Sequence, residues 1–137
     1  MGWQQWEADR YRRRLDQIMQ RAGYAHDATI LDWSGVAVRY RRGNVGVEIG
    51  SNAESNNAVE VWLRRIESVD AGECKRTWTP EDISLNKFCE RQGLGVVPTA
   101  PPMGNAVELE NRLDGAIEQF MPFILKAVDV VNGLPEL

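Results

Sequence analysis

His26 and Asp27 are the only histidine–carboxylate neighbours in the chain, the pairing that a general base needs. Adjacent side chains seldom converge on one proton, and no serine or cysteine is placed by a recognisable pattern to be activated by them. Cys74 and Cys89 stand fifteen positions apart with His26 as the sole histidine, too few and too scattered for a structural zinc site. They read as free thiols of a reducing compartment. The sequence has no HxxxH, no CxxC, no nucleophile elbow and no Asp-x-Asp calcium loop. The chain is therefore expected to have no catalytic residues, no metal and no cofactor.

A second candidate is the stretch VRYRRGNVGVEIG, Val38 to Gly50. A phosphate-binding loop runs from a strand into a helix N-terminus, with a lysine and a hydroxyl after its glycines. Here the glycines run into another alternating segment. If Gly43-Asn44 form a two-residue turn, Arg42 faces Val45, Tyr40 faces Val47, Arg39 faces Glu48 and Val38 faces Ile49. Every apolar residue then falls on one face, and the one opposite-charge pair falls on the other. The stretch is expected to be a structural hairpin, without the interleaved exposed aromatics of a single-strand nucleic-acid binder.

The elements around it follow from spacing. Ala8, Tyr11, Leu15, Ile18, Met19 and Ala22 recur at helical intervals before Gly23, which predicts an amphipathic helix over residues 3–22. Its run Tyr11-Arg-Arg-Arg has Glu7, Asp9 and Asp16 within a turn and reads as a solvated face. Ala28 to Trp33 is a first strand. After the polar loop Ser51 to Asn57, Val59, Val61 and Leu63 alternate with Glu60, Trp62 and Arg64. A register setting Glu48 against Glu60 would be repulsive, so a two-residue slip pairing Glu48 with Trp62 and Gly46 with Arg64 is expected. Thr79-Pro80-Glu81-Asp82 has the form of a helix start, an N-cap followed by proline and acids, predicting a short helix to about Gln92 before Gly93. A final helix is predicted from about Asn105 to Asn132-Gly133, kinked at Pro122, with a long apolar stripe that includes Ile117, Phe120, Ile124 and Val131. The predicted fold is one α+β domain over residues 1–137: an antiparallel meander of three to four strands, covered on one face by the N-terminal and C-terminal helices.

Charge narrows the partners. With 43% hydrophobic and 26% charged residues the chain is of ordinary globular composition, which excludes disordered and fibrous classes. The net charge is −4. Residues 1–66 hold ten arginines and eight acids, so the remaining six basic and twelve acidic residues give the second half the whole negative excess. Such a balance disfavours nucleic acid and favours a basic partner. The mostly apolar run Phe120 to Val131 is interrupted by Pro122, Lys126 and Asp129 and is far below the roughly 20 residues of a membrane span. The start, Met-Gly-Trp-Gln-Gln-Trp-Glu, lacks the pattern of a secretory signal, so a cytoplasmic location is expected. Glu110, Asp114 and Glu118 follow one another at four-residue steps on the last helix, a spacing that costs a helix a few tenths of a kcal/mol per like-charged pair. A tolerated local cost points to a surface kept for a basic partner, and Glu60, Trp62 and Arg64 on the wet sheet face are candidates to join it.

In general organisation, with Val36 to Ile66 and Trp78-Thr79-Pro80-Glu81-Asp82 as its recognisable parts, the chain resembles the immunity proteins of bacterial polymorphic-toxin systems. The resemblance implies a non-catalytic protein that occludes the active site of a cognate toxin, often a basic nuclease, with an acidic or apolar patch. Similar size and acidity are found in secretion chaperones, which dimerise and hold an effector segment. A third class is a small-molecule binder using Trp33, Trp62 and Trp78.

Overall fold

The period-two segments form a single antiparallel sheet in a computed structural model that describes residues 4–32, 35–43, 45–52, 57–65, 83–99 and 106–133. The strands are β1 (Ala25–Asp32), β2 (Gly35–Arg42), β3 (Val45–Asn52), β4 (Asn57–Arg65) and β5 (Ile83–Ser84), lying side by side in chain order. Three helices complete the fold: α1 (Gln5–Arg21), α2 (Leu85–Gln92) and α3 (Ala106–Gly133).

The expected hairpin register is present, with Arg39 opposite Glu48, Tyr40 opposite Val47 and Arg42 opposite Val45. Gly43 supplies the turn with φ of +61°, a conformation that costs any side chain with a Cβ. The slipped β3–β4 register is also present, pairing Glu48 with Trp62 and Gly46 with Arg64. Val36, Val38, Tyr40, Val45, Val47, Ile49, Val59, Val61 and Leu63 are consequently all buried on one face of the sheet. They form one core with Ala8, Tyr11, Leu15 and Met19 of α1 and with Ile117, Phe120, Ile124 and Val131 of α3. The helices thus form a layer on the dry face.

Helix ends follow local chemistry. At the close of α1 the Gly23 N–H donates to Gln20 O (3.0 Å) and the Tyr24 N–H to Met19 O (3.0 Å), with Gly23 at φ +88°. This paired closure satisfies carbonyls that the helix leaves open. The same arrangement ends α2 at Gly93, where the Leu94 N–H donates to Cys89 O at 2.9 Å. Helix α3 continues through Pro122, which stands on its exposed side, where water can serve the Glu118 carbonyl that proline leaves without its helical donor.

The antiparallel meander covered by the two helices is as expected, and a short fifth strand extends it, because Ser84 and Ile83 pair with Trp62 and Leu63 along the edge of β4. One expectation is corrected. The helix predicted from Pro80 begins only at Leu85: Ser84 is the N-cap, with ψ of 145°, and its hydroxyl accepts the Lys87 N–H at 3.3 Å. Burial of Ile83 beside Leu63 in the added strand outweighs helix propensity at residues 83–84, and the predicted cap at residues 79–82 lies outside the described residues. No helix among the described residues is long and apolar enough to cross a membrane.

Candidate functional site

Alternation along β4 places Glu60, Trp62 and Arg64 on the sheet face opposite the helices. On this face the registers align three rows across the strands. The first is Ile30, Ala37, Gly50 and Glu60; the second Ala28, Arg39, Glu48, Trp62 and Ser84; the third Ala25, Arg41, Gly46 and Arg64. Arg39 Nε lies 2.9 Å from Glu48 Oε1, so the predicted cross-strand pair is made. Trp62 is 36% exposed and Ile30 37%, two large apolar side chains set on either side of the small residues Ala37 and Gly50. The glycines leave Glu48 as the only wet-face side chain of β3 between Val45 and Gly50. Trp62 therefore stands on a floor that is low at its centre. Glu60 is close enough to the helical layer for its charge, after burial, to raise the Tyr11 phenol above its ordinary range.

The other predicted partner residues are on α3. Glu118 is exposed, on the side of the helix away from buried Ile117, Phe120 and Ile124. Glu110 and Asp114 belong to the same helix, with side chains outside the described residues. Because α3 packs on the dry face, Glu118 and Trp62 occupy opposite sides of the two-layer fold, and the structure does not bring them into one patch.

A third arrangement, around His26, was missed by the sequence reading. Asp27 is an extra residue in β1, since His26 pairs with Tyr40 while Ala28 already pairs with Arg39. The bulge returns His26 and Thr29, three residues apart, to the same face, and His26 Nε2 lies 2.8 Å from Thr29 Oγ1. The His26 ring meets Tyr40 edge-on at 6.0 Å. Its nearby carboxylate is Asp16 of α1 rather than the sequence neighbour Asp27. Tyr40 Oη donates to Asp16 Oδ1 at 2.6 Å, and Arg12 Nε stands 3.3 Å from Asp16 Oδ2. Burial and the Arg12 charge lower the His26 pKa, while Asp16 and the backbone bond to Ala28 pull it back up. Burial, followed by the bond to Asp16, raises the Tyr40 phenol well beyond its ordinary range. The cluster fastens α1 to the sheet through interactions among its own members. The deviation from strict alternation at His26-Asp27 is visible only once the strand partner is known.

The Cys89 thiol is buried and pushed up by that burial, against the opposing charge of Lys126, so its thiolate is disfavoured. Cys74, Trp33 and Trp78 lie outside the described residues. Comparison with family models, curated proteins and solved structures finds no match to this chain.

Proposed function

We propose that this chain is a non-catalytic protein-binding module that acts as an immunity protein, neutralising a cognate basic toxin by covering its active surface. The observation that carries the reading is the wet sheet face, where Trp62 stands exposed between Glu60 and Arg64 beside the Arg39–Glu48 pair. Aromatic side chains ringed by paired charges have the composition of an interface hot spot, in which the ring supplies most of the affinity and the rim excludes water. The acids of α3 have a separate task in this reading. Complementary charge accelerates encounter over a distance, so Glu110, Asp114 and Glu118 can steer a basic toxin without touching it.

The test is genetic and then kinetic. The gene beside this one is expressed alone and together with this chain. Growth arrest that is relieved by this chain, and no longer relieved by the Trp62→Ala variant, supports the reading. A neighbour without toxicity, or toxicity that this chain leaves untouched, overturns it.

A further inference from the structure

The two edges of the sheet differ. On one side it ends in the two-residue β5 and in β4, whose Glu60, Arg64 and Arg65 are charges of the kind that guard an edge. On the other it ends in β1, eight residues long and paired, among the described strands, with β2 alone. The bulge at Asp27 blunts the first half of this edge. The second half, Ala28-Thr29-Ile30-Leu31, carries neither charge nor proline, and its Ile30 is 37% exposed.

The direction of the backbone bonds along β1 follows from register. Asp32 and Gly35 close one two-residue connection, and Arg42 and Val45 close the next. A pair that closes such a hairpin is hydrogen-bonded, and bonded and non-bonded pairs alternate from there. Val38 and Tyr40 thus bond toward β3, and Ala37 and Arg39 toward β1, so the two hairpins agree. Ala28 and Ile30 face β2 in turn, which leaves the N–H and C=O groups of Thr29 and Leu31 directed to the outer side. Helix α1 leans away from this end of the strand. Its Asp16 is tied to Tyr40, the partner of His26 near the start of β1, whereas toward its N-terminus Tyr11 comes within reach of the Glu60 charge on β4.

We infer that the Ala28–Asp32 edge of β1 pairs antiparallel with the same edge of a second copy of this chain, about a two-fold axis at Ile30. The segment is self-complementary in that register. Thr29 and Leu31 of one copy exchange backbone bonds with Leu31 and Thr29 of the other, and the two Ile30 side chains meet on the wet face at a non-bonded pair, where Cα atoms approach to about 4.5 Å. An axis at Thr29 would set the bulged Asp27 against Leu31, and one at Leu31 would set Ile30 against Asp32. The same few residues supply both sides of the match, as an isologous contact requires, and this selects a copy of the chain over a foreign strand. Contact along one strand edge is well below the roughly 1,200–2,000 Å² of a stable complex, so the association is weak and reversible. The surface is separate from Trp62 and independent of the immunity reading.

Analytical ultracentrifugation of the full chain from about 5 to about 500 µM is expected to show a reversible monomer–dimer equilibrium. Ile30→Lys should lower the association constant at least tenfold, since it sets two like charges across the axis; the position is exposed, and circular dichroism checks that the fold is retained. Amide exchange reads the register: protection of the Thr29 and Leu31 N–H groups should rise with concentration. Under mild oxidation Ile30→Cys should form a disulfide-linked dimer more readily than Ala28→Cys, with the unaltered chain as control for Cys74 and Cys89. A chain that stays monomeric throughout, exchange at Thr29 and Leu31 that ignores concentration, or cross-linking no greater at position 30 than at 28 overturns the inference. So does a dimer that survives Ile30→Lys but is lost in Val96→Asp, which would place the contact at the 91%-exposed Val96 instead.

Discussion

Tyr40 of β2 donates its phenol hydrogen to Asp16 of α1 across 2.6 Å, joining the centre of the sheet to the first helix. The bond is short because the acceptor is a carboxylate, and it lies where burial makes an unmet hydroxyl costly. Tyr40→Phe is expected to destabilise the fold by about 1.5–3 kcal/mol, the usual range for a bond to a charged partner. Asp16→Asn should cost a comparable amount, and the double variant less than the sum of both. Urea denaturation of the four proteins measures the coupling. Additive losses would mean that the two residues act separately.

His26 predicts a pH dependence. Its folded pKa lies below the ordinary 6.5 because burial and Arg12 disfavour the imidazolium. The unfolded chain therefore binds that proton more tightly than the native one. The stability contribution is fully present above about pH 6.5 and is lost as pH falls through the lowered folded value. Denaturation midpoints between pH 7.5 and 5 should decline for the natural sequence and flatten in His26→Gln. Identical slopes in both proteins would remove His26 as the cause.

Gly43 in its turn and Gly35 at the start of β2 should respond differently to the same methyl group. A Cβ at Gly43 meets nothing within 4 Å, so the cost of Gly43→Ala is the left-handed backbone alone, about 1–2 kcal/mol, and Gly43→Asn should recover part of it. Gly43→Val should be worse than Ala, because a β-branched side chain restricts that conformation further. At Gly35 the added carbon would overlap the Ser51 carbonyl, so the backbone must move as well, and Gly35→Ala should cost more than about 3 kcal/mol. Thermal denaturation ranks the variants, and a Gly35 variant no worse than Gly43→Ala would contradict the close approach.

The proposed toxin complex separates contact from steering. Trp62→Ala is expected to speed dissociation by at least tenfold, the size of a hot-spot loss of about 2 kcal/mol, with little change in association. Reversing Glu110, Asp114 and Glu118 to lysine should slow association at low salt and leave dissociation nearly unchanged. Surface plasmon resonance with the cognate partner measures both rates. A triple reversal without effect on association would reduce the acids of α3 to an ordinary solvated surface.

Much of the fold is legible in the sequence because its signals are local. Gly43 before alternating residues sets a turn and two faces, and the like charges Glu48 and Glu60 exclude one register of β3 on β4. The span of α3 follows from an apolar stripe at intervals of three and four residues, which only a helix turns to one side. Each of these is decided by backbone torsions and by neighbours within a few residues or one strand. The candidate residues on β4 were readable for the same reason, as every second residue of a half-buried strand.

What tertiary structure alone decided concerns groups distant in the chain that compete for one another. Ile83 and Ser84, expected within a helix, pair instead with Leu63 and Trp62, because burial against a sheet edge outweighs half a turn of helix. The bulge at Asp27 exists only relative to the fixed positions of Arg39 and Tyr40, and it selects His26 rather than Asp27 for the cluster with Asp16. On α1, Asp16 keeps the i,i+4 pair with Arg12 that spacing assigns, while its other oxygen accepts from Tyr40 of β2, a partner that spacing cannot name. Spacing fixes which face of an element a side chain occupies; which distant group it meets there depends on how the layers close over the core.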